Sequence, residues 1–139
     1  MSTLAGAIDA GASALDAQRA RMEVAISNLA NADSTRGPGG VPYRRREVVL
    51  AEKPADPMQP HLQASGVQVA GVIEDQTPFR RRYEPSHPDA DADGFVAVPN
   101  VDVPEEMVNM LGAARAYQAN LTAIGLIRDT IQRALELGR

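Results

Sequence analysis

A chain of 139 residues with 44% apolar side chains, a net charge of −4 and only 4% aromatics is one domain's worth of protein. The absence of cysteine excludes thiol catalysis, disulfides and cysteine-based zinc sites, and the acidic balance disfavours a general nucleic-acid-binding surface. With no tryptophan, two phenylalanines and three tyrosines, large core-filling side chains are scarce, which points to an elongated molecule that completes its burial against neighbours.

All ten prolines fall between Pro38 and Pro104, so a proline-free head and a proline-free tail flank a proline-rich middle. The head, Ser2 to Asn31, repeats apolar residues every seventh position at Ile8, Leu15, Met22 and Leu29. A second, smaller row runs through Leu4, Gly11, Gln18 and Ala25. That spacing predicts a helix capped by Ser2 or Thr3, ending at Asn31 or Asp33 in the left-handed conformation these residues tolerate. Gly6 and Gly11 lie inside the pattern, each at a cost of roughly 1 kcal/mol against alanine. The expected return is close approach of a neighbouring helix. The opening residues lack the basic start and solid apolar core of a cleaved signal peptide. No apolar run approaches the ~18 residues of a membrane span, so direct membrane insertion is not expected.

The run DSTRGPGG from Asp33 to Gly40 is turn chemistry. Strands are predicted at Tyr43–Leu50, Val67–Ile73, Phe79–Tyr83 and Phe95–Val98. In the second, Val67, Val69, Gly71 and Ile73 alternate with polar or small residues to give one apolar face. Between the first two strands, residues 51–66 carry three prolines without periodicity and read as a mobile loop. Residues 33–101 are thus a small β-rich, proline-rich middle region.

The tail helix has a sharp start: Asp102, Val103, Pro104 and Glu105 read as N-cap, N1, N2 and N3, with Glu106 adding negative charge near the positive end of the helix dipole. One heptad row is Val103, Met110, Tyr117, Ile124 and Ile131; a second, offset by four, is Met107, Ala114, Leu121, Arg128 and Leu135. Nine of these ten are apolar, and Gly138 supplies a stop. A helix of about 50 Å with so narrow a stripe needs a partner along its length. The fold class is therefore α+β. Long N- and C-terminal helices are expected over 1–32 and 102–139, each with a stripe for a helical partner.

Motifs for chemistry are weak. Asp89, Asp91, Asp93 and Gly94 match the first half of a calcium-binding loop, but the twelfth position is Asn100 where a bidentate Glu is needed, which favours an acidic turn. The triplets Arg44–Arg46 and Arg80–Arg82 could form a phosphate patch; the acidic excess favours a solvated or subunit-bridging face instead. Arginine outnumbers lysine 13 to one, and its planar fork suits interface ion pairs. His61 and His87 stand alone in loops. With no phosphate loop, nucleophile elbow or paired carboxylates, nothing reads as an enzyme, and no metal or cofactor is expected.

The head segment Ser13-Ala14-Leu15, Gln18, Met22 and Ser27-Asn28-Leu29-Ala30-Asn31-Ala32-Asp33 resembles the N-terminal motif of bacterial flagellar rod and hook proteins. The tail segment Pro99-Asn100-Val101-Asp102-Val103, Glu106-Met107-Val108-Asn109 and Ala116-Tyr117-Gln118-Ala119-Asn120 is similar to their C-terminal counterpart. The short middle, with Glu74-Asp75-Gln76-Thr77-Pro78 and Gly94-Phe95-Val96, resembles the small proximal-rod type. The likeness runs end to end, departing in the loop from Ala51 to Ser65 and at Asp89–Asp93. It implies a structural subunit of the basal-body rod, the hollow drive shaft that crosses the periplasm, built from copies of itself and other rod subunits. It also implies that the helices of 1–32 and 102–139 pair as an antiparallel coiled-coil-like hairpin, the assembly core, that delivery is by the flagellar export apparatus without a cleaved signal, and that the terminal regions are unfolded before assembly. On that expectation the seam rows hold the hairpin, Gly6, Gly11, Gly112 and Gly125 admit neighbours, and Gln18, Gln118 and Asn120 are candidates for interhelical hydrogen bonds. Two other readings are a soluble coiled-coil adaptor or chaperone, and a calcium-responsive module at Asp89–Asp93.

Overall fold

A computed structural model describes residues 2–54 and 65–137. Two long helices, α1 (Ser2–Ala30) and α2 (Val103–Leu137), frame four strands: β1 (Arg46–Lys53), β2 (Gly66–Glu74), β3 (Arg80–Tyr83) and β4 (Phe95–Val98). The architecture is α+β. The helices lie side by side in opposite directions, since Asn28 near the end of α1 bonds Glu106 near the start of α2. Farther along, a Cβ placed on Gly11 would stand 2.8 Å from Ile124 Cγ1, so glycine there permits close approach of α2 within the same chain.

Helix ends follow local chemistry. At the start of α2, Asp102 Oδ1 accepts from the Glu105 amide at 3.1 Å and its carbonyl accepts from Glu106 at 3.0 Å, as expected of an N-cap. Glu105, expected to reach back to the cap amide, instead has its carboxylate 3.7 Å from Arg45 Nη2. α1 ends differently from the expectation: among the described residues only glycines have positive φ, so neither Asn31 nor Asp33 is left-handed. Asn31 stops the helix with its side chain, donating from Nδ2 to the Ser27 carbonyl at 2.8 Å. Gly138 and the side chains of Ser2 and Thr3, expected as stop and caps, lie outside the described residues.

The strands form two separate antiparallel ribbons, β1–β2 and β3–β4. In the first, Val49 pairs with Gly71 but Leu50 pairs with Val69, so Ala70 is an extra, bulged residue. The bulge shifts the phase of β2. By register Val67, Val69 and Val72 share a face with Val48 and Leu50, and the expected face through Gly71 and Ile73 is broken at Ala70. The strands also extend into the predicted loop: residues 51–53 belong to β1 and Gly66 to β2, whereas 55–64 lie outside the described residues.

In the second ribbon, Tyr83 meets Phe95 edge-on at 5.2 Å between ring centroids. Gly94 has φ +81°, and a Cβ there would fall 2.9 Å from Tyr83 Cε2, so the turn into β4 requires glycine twice over. Buried apolar residues are small and divided. Ala17, Ala25 and Ala113 sit in the helical layer, while Val96, Val98 and Val101 lie around β4 and the segment leading to α2. Many larger apolar side chains remain exposed, among them Met107, Val108, Leu111, Leu121, Leu126 and Leu135 on α2. No described helix is long and apolar enough to cross a membrane.

Candidate functional site

The densest chemistry is a polar clasp where the end of α1, the segment before β1, the 75–77 turn and the start of α2 meet. Its centre is Asn28, fully buried. A buried side-chain amide must find partners for both donors and its acceptor, and Asn28 makes four hydrogen bonds. Nδ2 donates to the Arg46 carbonyl at 2.8 Å and to Glu106 Oε2 at 3.0 Å, while Oδ1 accepts from the Arg46 amide at 3.0 Å and from the Tyr43 hydroxyl at 2.9 Å. Asn28 thus treats the Arg46 backbone as a neighbouring strand would.

Glu106 is the second buried member, at 2% exposure. Its Oε1 accepts from Arg45 Nε at 2.6 Å, a charge-assisted bond that matches the buried carboxylate with a half-buried guanidinium. Burial of Arg45 works against its protonation, but the Glu106 hydrogen bond and charge, helped by Glu105 and Glu47, outweigh it and hold the guanidinium above its ordinary pKa. Arg45 also approaches Asp75 Oδ2 at 3.5 Å. The Asp75 carboxyl is held below its ordinary pKa chiefly by the Thr77 amide, which donates to it at 2.9 Å, with the Thr77 hydroxyl and Arg45 adding to the effect.

Asn100 closes the clasp from the α2 side. Its Oδ1 accepts from the Arg45 amide at 2.8 Å, and Nδ2 donates to the Asp75 carbonyl at 3.0 Å and to Thr77 Oγ1 at 2.9 Å. Arg44 donates to the Asp75 carbonyl at 3.0 Å and stacks over Phe79 at 4.3 Å. These bonds join head, middle and tail of the chain in one network whose buried polar side chains all have partners among the described residues.

Several expectations find different places. Of the first arginine triplet, read as a solvated or subunit-bridging face, Arg45 turns inward to Glu106 within the chain. In the second, Arg81 bonds Asp91 at 2.6 Å and Arg82 bonds Asp33 at 3.2 Å and Glu84 at 2.9 Å, all within the chain. Asp91 also accepts from the Phe95 amide at 2.8 Å and the Asp93 amide at 3.0 Å; the Phe95 bond is the main reason its pKa is lowered. Asp89 accepts from the Thr35 hydroxyl at 3.0 Å and from Arg36, so the acidic stretch is a bonded turn. His87 accepts the Asp89 amide at 3.1 Å on Nδ1; His61 lies outside the described residues.

Along the seam, Ile8, Leu15, Met22 and Leu29 on α1 and Met110, Ala114, Tyr117, Ile124 and Ile131 on α2 are half-buried, whereas Val103, Met107, Leu121 and Leu135 are exposed. The covered row beside Met110 and Tyr117 is Glu106, Ala113, Asn120 and Ile127, offset by three where an offset of four was expected. A charged and an amide side chain in that row disguised it, and the large apolar Met107 and Leu121 drew the pattern one position outward. Of the proposed interhelical polar residues, Gln18 bonds Arg21 within α1 at 3.2 Å, the Gln118 carbonyl accepts from Thr122, and Asn120 is half-buried. The interhelical bond runs through Asn28 and Glu106 instead. Leu29 is half-buried and Ala30 exposed, beside the helix-ending Asn31. Gly112 and Gly125 face open space.

A helix pair bracketing a small β region, locked by asparagines just before the two helical boundaries, defines a class, and comparison with known proteins identifies it. Residues 8–38 match the family described as flagella basal body rod protein, and residues 92–137 match the family described as flagellar basal body rod FlgEFG protein C-terminal. The chain is 48% identical to the flagellar basal-body rod protein FlgC of Salmonella typhimurium over 94% of its own length and 95% of the relative's. Identity to the protein of the same name in Bacillus subtilis is 40%, over 95% and 96% of the two chains. For Aquifex aeolicus it is 35%, over 98% of each. The chain belongs to the FlgC family of flagellar basal-body rod proteins. These relatives do not favour the adaptor or chaperone reading.

Proposed function

We propose that the chain is a structural subunit of the flagellar basal-body rod, assembling with copies of itself and related axial proteins into a hollow shaft across the periplasm. In this reading α1 and α2 form an antiparallel coiled-coil-like hairpin, residues 1–32 and 102–139 are the assembly core, and 33–101 project from it. The observation that carries the proposal is the outer stripe of α2. Met107, Leu111 and Leu121 lie on one side of the helix, each about half exposed, with Ala114 between them and Gly125 open beyond. Apolar surface of this kind is stabilised only when neighbours cover it, at roughly 25 cal/mol per Å² before ordering costs. A tube repeats without closing, so the covering contacts are head-to-tail. Delivery through the flagellar export apparatus without a cleaved signal belongs to the same proposal. Replacing exposed Leu121 with Asp tests it: the isolated chain keeps its stability within about 0.5 kcal/mol, yet basal bodies lack the subunit and cells lose motility. Rods that incorporate the variant normally reject the stripe as the assembly surface.

A further inference from the structure

The root of the β1–β2 ribbon departs from regular pairing at one rung. The ladder runs from Lys53 opposite Gly66 to Arg46 opposite Glu74, so the next pair is Arg45 with Asp75. Facing residues of an antiparallel pair alternately exchange both backbone bonds or neither. Here one of the two is made: the Asp75 amide donates to the Arg45 carbonyl at 2.8 Å. In place of the reciprocal bond, the Arg45 amide donates to Asn100 Oδ1 at 2.8 Å and Asn100 Nδ2 donates to the Asp75 carbonyl at 3.0 Å. A side-chain carboxamide is thus inserted into the rung, accepting on one side and donating on the other. Nδ2 also donates to Thr77 Oγ1 at 2.9 Å and to the Thr77 carbonyl at 3.3 Å. Arg44 Nη1 donates to the same two carbonyls, at 3.0 Å and 3.1 Å.

The inserted group joins parts that regular structure leaves apart. Among the described residues the strands of β1–β2 do not pack on those of β3–β4, and α2 packs along α1 and on no strand. The segment from β4 to α2 is tied to its own ribbon by Arg80, which donates to the Val101 carbonyl and lies 3.9 Å from Asp102. Its ties to the root of β1–β2 are Asn100 and, a turn into α2, the long Arg45 side chain on Glu106 and Glu105. α1 bridges both from outside, with Asn28 on Arg46 and Glu106, Ser27 on Tyr43 and Ser13 on Val67. Of all these ties, Asn100 alone enters the ladder.

We propose that Asn100 is a positioning residue: its carboxamide holds the last rung of β1–β2 open and so sets where the start of α2 stands against the ribbon's root. Without it the Arg45 amide and the Asp75 carbonyl, already opposite each other, close to a direct bond of about 2.9 Å. The ladder then gains a rung and residues 99–101 lose their seat. The role is exercised in the assembled subunit, so it rests on the rod reading, and it requires no helix pairing in the free chain.

Alanine and leucine distinguish a wedge from a filler. Asn100→Ala leaves room for the rung to close, so the Arg45 amide regains a partner. Asn100→Leu keeps the branched shape of asparagine, holds the rung open and shields an Arg45 amide that then has no partner, a loss of about tenfold. Each variant is produced together with the unaltered chain, and mass spectrometry of purified basal bodies reads the ratio of the two; the presence of the unaltered chain there tests the rod reading separately. Asn100→Ala should be taken up less than the unaltered chain, and Asn100→Leu about tenfold less than Asn100→Ala. Electron cryomicroscopy of rods built with Asn100→Ala alone should show Arg45 and Asp75 directly bonded and the first turn of α2 displaced. The proposal is overturned if Asn100→Leu is taken up as well as Asn100→Ala or better, the order a space-filling residue gives. Uptake of both like the unaltered chain, exclusion of both alike, or an open rung in the Asn100→Ala rods overturns it equally. If Asn100→Ala forms no rods by itself, the ranking decides.

Discussion

The two ends of the helix pair are built on opposite principles. At the clasp end, α1 finishes and α2 begins amid directional bonds: Asn28, Glu106, Arg45 and Asn100 each touch more than one segment of the chain. At the far end, the last turns of α2 have Leu126, Leu135 and Leu137 exposed, and among its described side-chain bonds are local ones such as Thr130 to the Leu126 carbonyl at 2.8 Å. Directional bonds define one geometry inside one chain. Apolar surface is indifferent to orientation and gains only from coverage. A subunit that must present a fixed shape and yet join many neighbours has a use for both, at different places.

Glu106→Ala breaks this contrast most severely. It removes the closest partner of Arg45, leaving Asp75 at 3.5 Å and Glu105 at 3.7 Å, and leaves Asn28 with an unmet donor, a loss at the lower end of the about 3–5 kcal/mol that breaking a buried pair costs. Urea unfolding should show a midpoint lowered accordingly; a loss under about 1 kcal/mol would mean that water reaches the cleft and the clasp is not a buried pair at all. A milder cut at the far end, Ile131→Ala, removes a half-buried side chain from the seam and should lower stability by about 1 kcal/mol. Hydrogen exchange distinguishes the two. Glu106→Ala should speed exchange on both sides of the clasp, in α1 near Asn28 and in β1, whereas Ile131→Ala should affect only the last turns of α2. Equal, global effects from both would show that the ends are one cooperative unit.

How far the sequence speaks for itself divides along the same line. Both helices could be read from heptad rows and from the Asp102 cap, because 3.6-residue periodicity and capping are local properties. The strands at Phe95–Val98 and around Val67 were equally legible. β1 begins at Arg46, not at Tyr43, for a reason no local pattern carries: the Arg45 and Arg46 amides bond the side chains of Asn100 and Asn28 in place of a strand. Glu106 reads locally only as an acid favoured by the helix dipole, because its partner Arg45 lies 61 positions earlier. Its only local signal was its place in a row with Ala113, Asn120 and Ile127, where a lone carboxylate among covered positions calls for a distant cation. The Ala70 bulge left no mark beyond the small residues Ala70 and Gly71.

Acid should separate the two ends by the smallest but most selective margin. Asp75, beside the clasp, has its folded pKa lowered by the Thr77 amide, and Asp91, in the β3–β4 turn, by the Phe95 amide. A carboxyl whose folded pKa lies below its unfolded value contributes stability that is complete above the ordinary carboxylate range near about pH 4. That contribution is lost as pH falls through the lower, folded value, because the unfolded chain binds the proton first. Stability should therefore decline below about pH 4, and Asp75→Asn should flatten part of that decline while lowering stability at neutral pH. Both carboxyls are at the ribbons, so hydrogen exchange at low pH should rise first in residues 75–77 and 91–95 and at the adjoining strand ends. The apolar seam around Ile124 and Ile131 has no proton to gain and should respond last. If acid opened the far end of α2 before the clasp, the directional bonds would not be what holds this end of the molecule together.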